Sequence, residues 1–159
     1  MTSPMPPSHA SAPAGDPDAL LAELNILLEA ERAGAKVALA SRKGAAGPAH
    51  TALMDVVRAD EARWCAMLSR QIRRLGGVPS GATGAFHEKA LAIADPLERL
   101  AFLNRGQVWV VRRLDALMPL ANDAALRVDL REMAESHRAN IGRTEVFLAT
   151  ADGGEVNAK

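Results

Sequence analysis

Two glutamates and one histidine stand where apolar residues are expected, each inside a stretch whose apolar residues recur every three or four positions. Glu31 interrupts the series Leu20, Leu24, Leu27, Gly34, Ala38, and Glu61 the series Leu53, Val57, Trp64, Leu68, Ile72, Leu75. His137 interrupts Leu126, Leu130, Met133, Ile141, Thr144, Leu148. A further series, Leu100, Val111, Leu114 and Met118, holds two amides, Asn104 and Gln107, in its middle. A helix brings residues three and four apart onto one face, so each of these polar groups points where the core must be. A buried unpaired carboxylate costs on the order of several kcal/mol, so two of them need a cation, a proton or a hydrogen-bonded network. Carboxylate oxygens with an imidazole nitrogen suit iron, manganese or zinc, and three such ligands leave positions open for water or a substrate. A metal-free polar network is the other compensation.

These groups act together only if the elements carrying them bring them to one level. The periodicity predicts helices over about 18–42, 49–75, 96–118 and 123–150, with Asp16 or Asp18 capping the first and Asp95-Pro96 opening the third. The second lies between Gly47-Pro48 and Gly76-Gly77, and Pro119 closes the third. KGAAGP and PLAN are short links that force antiparallel neighbours, whereas 76–95 is about twenty residues and can run the length of a ~35 Å helix, with a short helical piece over 86–94. The expected fold is an all-α, antiparallel four-helix bundle of two hairpins joined by one long crossover, the ferritin-like arrangement. Glu31 lies eleven residues before Arg42 and Glu61 eleven after His50, which puts both about 16 Å from one end of the bundle. In the second hairpin Gln107 and Asn104 lie eleven and fourteen residues before Met118 and His137 thirteen after Ala124, a mismatch within about 5 Å. All four helices therefore offer polar groups at mid-bundle.

Composition bounds the rest. The 159 residues and 16.8 kDa make one domain, long enough to bury roughly 70% of its unfolded surface without staples. Nineteen Lys and Arg against nineteen Asp and Glu leave no net charge, which argues against a nucleic-acid partner. Cys65 has no internal disulfide partner, and no run approaches the ~20 apolar residues of a membrane span. Aromatic residues are 3% and tyrosine is absent, which disfavours β-sheet. The Pro- and Ser-rich segment 1–17 reads as a disordered tail without secretory character, and 151–159 reads as a flexible end. The expected domain is 18–150 and the expected compartment the cytoplasm.

The segments LLEAERAGAKVAL around Glu31 and RADEARWCAML around Glu61 resemble the first two helices of the ferritin-like superfamily, a resemblance that extends over about 18–150. Di-iron members of that superfamily carry one Glu on each of two helices and E-x-x-H on the other two. Carried over, Glu31 matches the first-helix ligand and Glu61 the second-helix glutamate, with Trp64 at its histidine position. Gln107, or Asn104, stands at the third-helix carboxylate, and His137 matches the fourth-helix histidine with Ala134 at its paired glutamate and Glu135 on another face. The resemblance implies a reduced, mononuclear centre on Glu31, Glu61 and His137, with Gln107 as a weak or supporting ligand. It further implies iron or manganese, and an oxidoreductase or hydroxylase acting on a small molecule. The absence of tyrosine argues against tyrosyl-radical chemistry.

The competing expectation is a metal-free structural module in which Glu31 and Glu61 pair with an arginine such as Arg105 or Arg138, or a ligand-binding module in which a pocket between helices, lined by Trp64 and the amides Asn104 and Gln107, takes a small polar molecule. In the first, Trp64, Met54, Met67 and Met133 read as packing that fills the place of a lost ligand, and Cys65 as a small buried hydrophobe. Arg70, Arg73, Arg74, Arg112 and Arg113 read as solvated charge, while His9, His50 and His87 fall in tail, turn and crossover. A homodimer is an open partner assignment.

Overall fold

The computed structural model describes residues 15–156. Five helices follow one another: α1 (Pro17–Ser41), α2 (Pro48–Arg74), the short α3 (Phe86–Leu91), α4 (Pro96–Leu117) and α5 (Ala124–Val156), with a 3-10 turn at Met118–Leu120 between the last two. No strand occurs among the described residues, and no helix there is long and apolar enough to cross a membrane.

Local chemistry sets the ends. Proline opens α1, α2 and α4, where its missing N–H is no loss. Asp95 Oδ1 accepts the Leu97 and Glu98 amides at 2.9 Å, and Asp123 Oδ1 accepts that of Leu126 at 2.8 Å. Helix α2 stops at Gly76, whose φ of 86° is open mainly to glycine, and the Gly77 amide closes back on the Ile72 carbonyl at 2.9 Å.

Two boundaries differ from the sequence reading. Pro17, assigned above to a loose tail, is the first residue of α1, and Asp16, one of the two caps expected, is its cap; 1–14 and 157–159 lie outside the described residues. At the other end α5 continues to Val156, past the expected limit at 150 and through Gly153 and Gly154. Extending a formed helix orders one residue per hydrogen bond, so the ~1 kcal/mol disadvantage of each glycine discourages it without forbidding it.

Helix α1 packs on α2 and α4 on α5, while α1 also packs on α4 and α2 on α5. Among the described residues α1 and α5 form one diagonal of the square and α2 and α4 the other. The long crossover is laid along α1. Asn25 binds the Val78 carbonyl and the Ser80 amide, Arg32 binds the Ser80 and Ala82 carbonyls, and Gly84 donates to the Glu29 carbonyl at 3.2 Å. It carries the chain back along the bundle, so α2 and α4 run parallel, as a ferritin-like topology requires.

The apolar core is not continuous. One cluster gathers Leu24, Leu28, Trp64, Leu114, Leu130 and Ala134, and a second gathers Val37, Val57, Leu100 and Leu103 with Phe147 against it. On every long helix the interval between them falls at the polar residue singled out above: after Leu28 on α1, after Val57 on α2, after Leu103 on α4 and after Ala134 on α5.

His50 departs from the sequence reading. It is the third residue of α2 rather than part of an open turn, and it is wholly buried, its Nδ1 accepting the Ala46 amide at 2.9 Å beside Phe147. Burial lowers its pKa. Below the ordinary value of about 6.5, the unfolded chain therefore takes up a proton that the native ring refuses, and stability present above that pH is lost as pH falls. We expect His50→Phe to flatten the fall in urea-unfolding free energy between pH 7 and pH 5, a slope this one group can steepen by at most about 1.4 kcal/mol per pH unit. An unchanged slope would assign the acid sensitivity elsewhere.

Candidate metal centre

Glu31, Glu61 and His137 converge in the gap between the two clusters. They are 1%, 3% and 1% exposed, and one ligand atom from each lies within 4.8 Å of the others. Glu31 and Glu61 come from adjacent helices, whereas His137 reaches Glu31 across the diagonal, its Nε2 2.9 Å from Glu31 Oε1. The other ring nitrogen, Nδ1, is 3.1 Å from the Met133 carbonyl, which can only accept. Nδ1 therefore carries the proton, and Nε2 is left facing the carboxylates. Gly34 makes room for the second glutamate: a Cβ there would overlap the Glu61 carboxylate.

Gln107, 3% exposed, completes the level from α4. Glu31 Oε2, Glu61 Oε2 and Gln107 Oε1, together with Asn104 Oδ1 three residues away on α4, are buried without a hydrogen-bond partner. All four are acceptors. Burial, then the charges of Glu31 and Asp60, push the Glu61 carboxyl well above its usual range. Burial would lower the His137 pKa, but the charge and hydrogen bond of Glu31, with smaller contributions from the Met133 carbonyl and Asp60, raise it. Both shifts are responses to an excess of negative and acceptor groups in a dry place. One cation would answer that excess, and the donor set fits it: an oxygen from each glutamate and an imidazole nitrogen, gathered within 4.8 Å of one another, are donors that iron, manganese or zinc take. The Met133 carbonyl is the kind of partner that orients a ligating imidazole.

The arginine partners considered for the carboxylates do not reach them. Arg138 binds Asp115 at 2.7 Å on the outside, and the Arg105 guanidinium lies 5.6 Å from the Phe102 ring. Trp64 and Ala134 are both packed in the first apolar cluster with Met67 and Met133, and the Trp64 Nε1–H donates to Ser136 Oγ at 3.2 Å. Met54 belongs to the second cluster instead. Glu135 is exposed, so the fourth-helix register read from the sequence holds. Arg70, Arg74 and Arg113, read as solvated charge, pair with Asp129, Asp123 and Glu23.

Sequence reasoning missed Asn140, 1% exposed, whose Nδ2 donates to Asp60 Oδ2 at 2.9 Å. Its place three residues after His137 was the available signal. It also misplaced the pocket between helices: a cavity of about 430 Å³ lies between α1, α4 and the crossover, with Glu31, Glu61 and Gln107 in its buried wall and Trp64 outside its lining.

A ferritin-like helical bundle with a buried carboxylate and histidine cluster is thus the class that fold and site define. Among solved structures the chain is similar to one from Bacillus anthracis str. Ames described as ferritin like, diiron-carboxylate proteins, with a TM-score of 0.74, 19% identity, and coverage of 84% of this chain and 98% of that one. Residues 18–146 match a domain of unknown function, DUF6306, and the chain belongs to that family. No curated protein matches it.

Two outcomes follow from the packing. Gly34→Ala gains helix propensity but forces the Glu61 carboxylate aside, so the apo protein should unfold within a few degrees of wild type while any metal-induced rise in midpoint is lost; a variant that responds to metal like wild type would show that Glu61 is dispensable. Cys65 is half-buried, and burial first, then Glu31 and Glu61 over the opposing Arg32, push its thiol up to about 12. A disulfide reagent at pH 8 should therefore label the native protein about a hundredfold more slowly than the urea-unfolded chain. Equal rates would contradict that burial.

Proposed function

We propose that this protein binds one divalent transition-metal ion, iron or manganese, through Glu31, Glu61 and His137, and uses it to oxidise or hydroxylate a small molecule admitted through the adjoining cavity. The observation that carries the reading is the set of buried, unpartnered oxygens on Glu31, Glu61 and Gln107. A bundle with apolar clusters on both sides of that layer has placed two carboxylates, an amide oxygen and an imidazole together with no lysine or arginine paired to them among the described residues.

Each residue has a part that its surroundings support. Glu31 and Glu61 supply two negative charges, neutralising a divalent ion without a counter-ion from solvent. His137 supplies a neutral nitrogen, aimed by the Met133 carbonyl. Gln107 reaches the same level with an unpartnered oxygen, suited to a weak fourth ligand or to a hydrogen bond from a bound water. When bound, the ion would supply redox or Lewis-acid chemistry at neutral pH. Trp64 and Ala134 pack as apolar groups in one cluster, which supports one ion in place of two. The neighbouring cavity supports access for a substrate, since the rest of the layer is enclosed by helix packing.

A metal-free polar plug is the second reading, and the existing Glu31–His137 hydrogen bond favours it. Linkage separates the two. An ion held only by the folded state adds about 2.7 kcal/mol at a hundredfold excess over Kd, or roughly 5–10 °C for a domain of this size. Ferrous or manganous ion should raise the midpoint of chelator-treated wild type by that amount under anaerobic conditions, and Glu61→Leu or His137→Leu should abolish the rise. Replacing both glutamates by leucine should leave an apo protein as stable as wild type or more so, because two costly buried carboxylates are gone. Indifference of wild type to iron, manganese and zinc, with a single Glu→Leu loss of about 3–5 kcal/mol from a stranded partner, would replace the metal reading with the plug.

A further inference from the structure

We infer that the cavity beside the carboxylates binds a small apolar monocarboxylate, its apolar body inside and its carboxylate at the mouth on Arg105. The proposal names the substrate class for the oxidative site suggested above and rests on that reading for its catalytic meaning, though not for binding itself.

The cavity has two unlike ends. Its inner wall is formed by buried Glu31, Glu61 and Gln107, all presenting acceptors, of which three oxygens lack any partner. That end repels an anion. Its sides are apolar and largely aromatic: Phe86 and Phe102 stack at 4.8 Å and 7°, and the Trp109 ring stands 43% exposed near the entrance. Gly106 is what lets this wall form, since a Cβ there would press into the Phe86 ring. Apolar walls over about 430 Å³ match the size range of small-molecule sites.

The mouth carries the opposite sign. Arg105 lines the cavity from an exposed position, lies over the Phe102 ring and makes no ion pair among the described residues, whereas Arg113, Arg138, Arg70 and Arg74 each hold a carboxylate. Glu29 is the opposing charge on the lining, and its Oε1 is engaged by the Ser80 hydroxyl at 2.8 Å. A molecule with an anionic head and an apolar body is therefore oriented by both ends at once. The carboxylate is excluded from the floor and attracted to Arg105, which directs the apolar end toward Glu31, Glu61 and Gln107.

Binding of hexanoate, hexanol and hexylammonium to the full chain can be followed by tryptophan fluorescence and calorimetry, with and without added manganous ion. Hexanoate should bind about tenfold tighter than hexanol, and Arg105→Gln should erase that preference while leaving hexanol affinity and the thermal midpoint unchanged. Tighter binding of hexylammonium, equal binding of acid and alcohol, or an unchanged preference in Arg105→Gln would overturn the proposal. The metal reading fails separately: if manganous and ferrous ions leave the midpoint unchanged while the Arg105-dependent preference persists in chelated protein, the cavity binds carboxylates without oxidising them.

Discussion

The contact on which this bundle turns is the approach of Glu31 to His137 across its diagonal, with Glu61 closing from the adjacent helix. Two carboxylates at one level of a dry core are tolerable only if something positive stands between or beside them. The protein supplies a histidine whose basicity is raised by its glutamate partner and a second glutamate whose acidity is suppressed by burial. That arrangement stores an affinity for protons or for a cation. Much of the packing serves to hold it: Gly34 clears the space Glu61 occupies, the Met133 carbonyl fixes the imidazole, and two apolar clusters exclude water above and below.

The division of the core into two clusters follows from the same constraint. A polar layer cannot be packed over by leucine, so each helix changes from apolar to polar and back at one place, and the four places coincide only because the hairpins have short turns. Along α2 the change runs from Val57 through Glu61 to Trp64, and along α5 from Ala134 through His137 toward Phe147. Asn140 and Asp60 extend the layer outward from the carboxylates by one hydrogen bond of 2.9 Å, so the polarity fades toward solvent on the α2–α5 side.

This explains which parts were legible in the chain itself. Glu31, Glu61, Gln107 and His137 could be placed together because helical periodicity names the buried face and residue counts from a shared turn give the level, two quantities a sequence contains. The arginine partners failed for a reason also present in the sequence: Arg138 is one residue from His137 and Arg105 two from Gln107, rotations of about 100° and 200° away from the core. His50 was misread because it sits in the first turn of α2, next to the link, and groups with that link in the sequence, whereas in the fold its ring turns inward against Phe147. Of the cavity only Gln107 was legible as a wall residue, while Trp64 packs in the apolar cluster instead; the rest depends on how the crossover, α1 and α4 fail to fill the space between them, and no local pattern encodes such a shape.

The position of that opening follows from how the two sides of the bundle are fastened. On the α2–α5 side, Arg74–Asp123, Gln71–Asp129, Trp64–Ser136 and Asn140–Asp60 close the seam at successive levels. On the α1–α4 side, Arg113 and Glu23 join near one end at 2.6 Å, and beyond them the cavity wall includes Gly34, packed on the Glu61 carboxylate of α2, and Gly106, packed on the Phe86 ring of α3. The crossover fastens its first half to α1, and its short helix α3 packs on both α1 and α4, leaving the cavity open beside Phe86 and Phe102. The α1–α4 side is therefore where the buried carboxylates adjoin the cavity, whose lining runs from exposed Trp109 and Arg105 to buried Gln107. Exposed Arg105 and buried Gln107 line one cavity from the same helix, α4, two residues apart in sequence, so a substitution on the outer face of α4 can alter the mouth of the cavity without disturbing the buried layer.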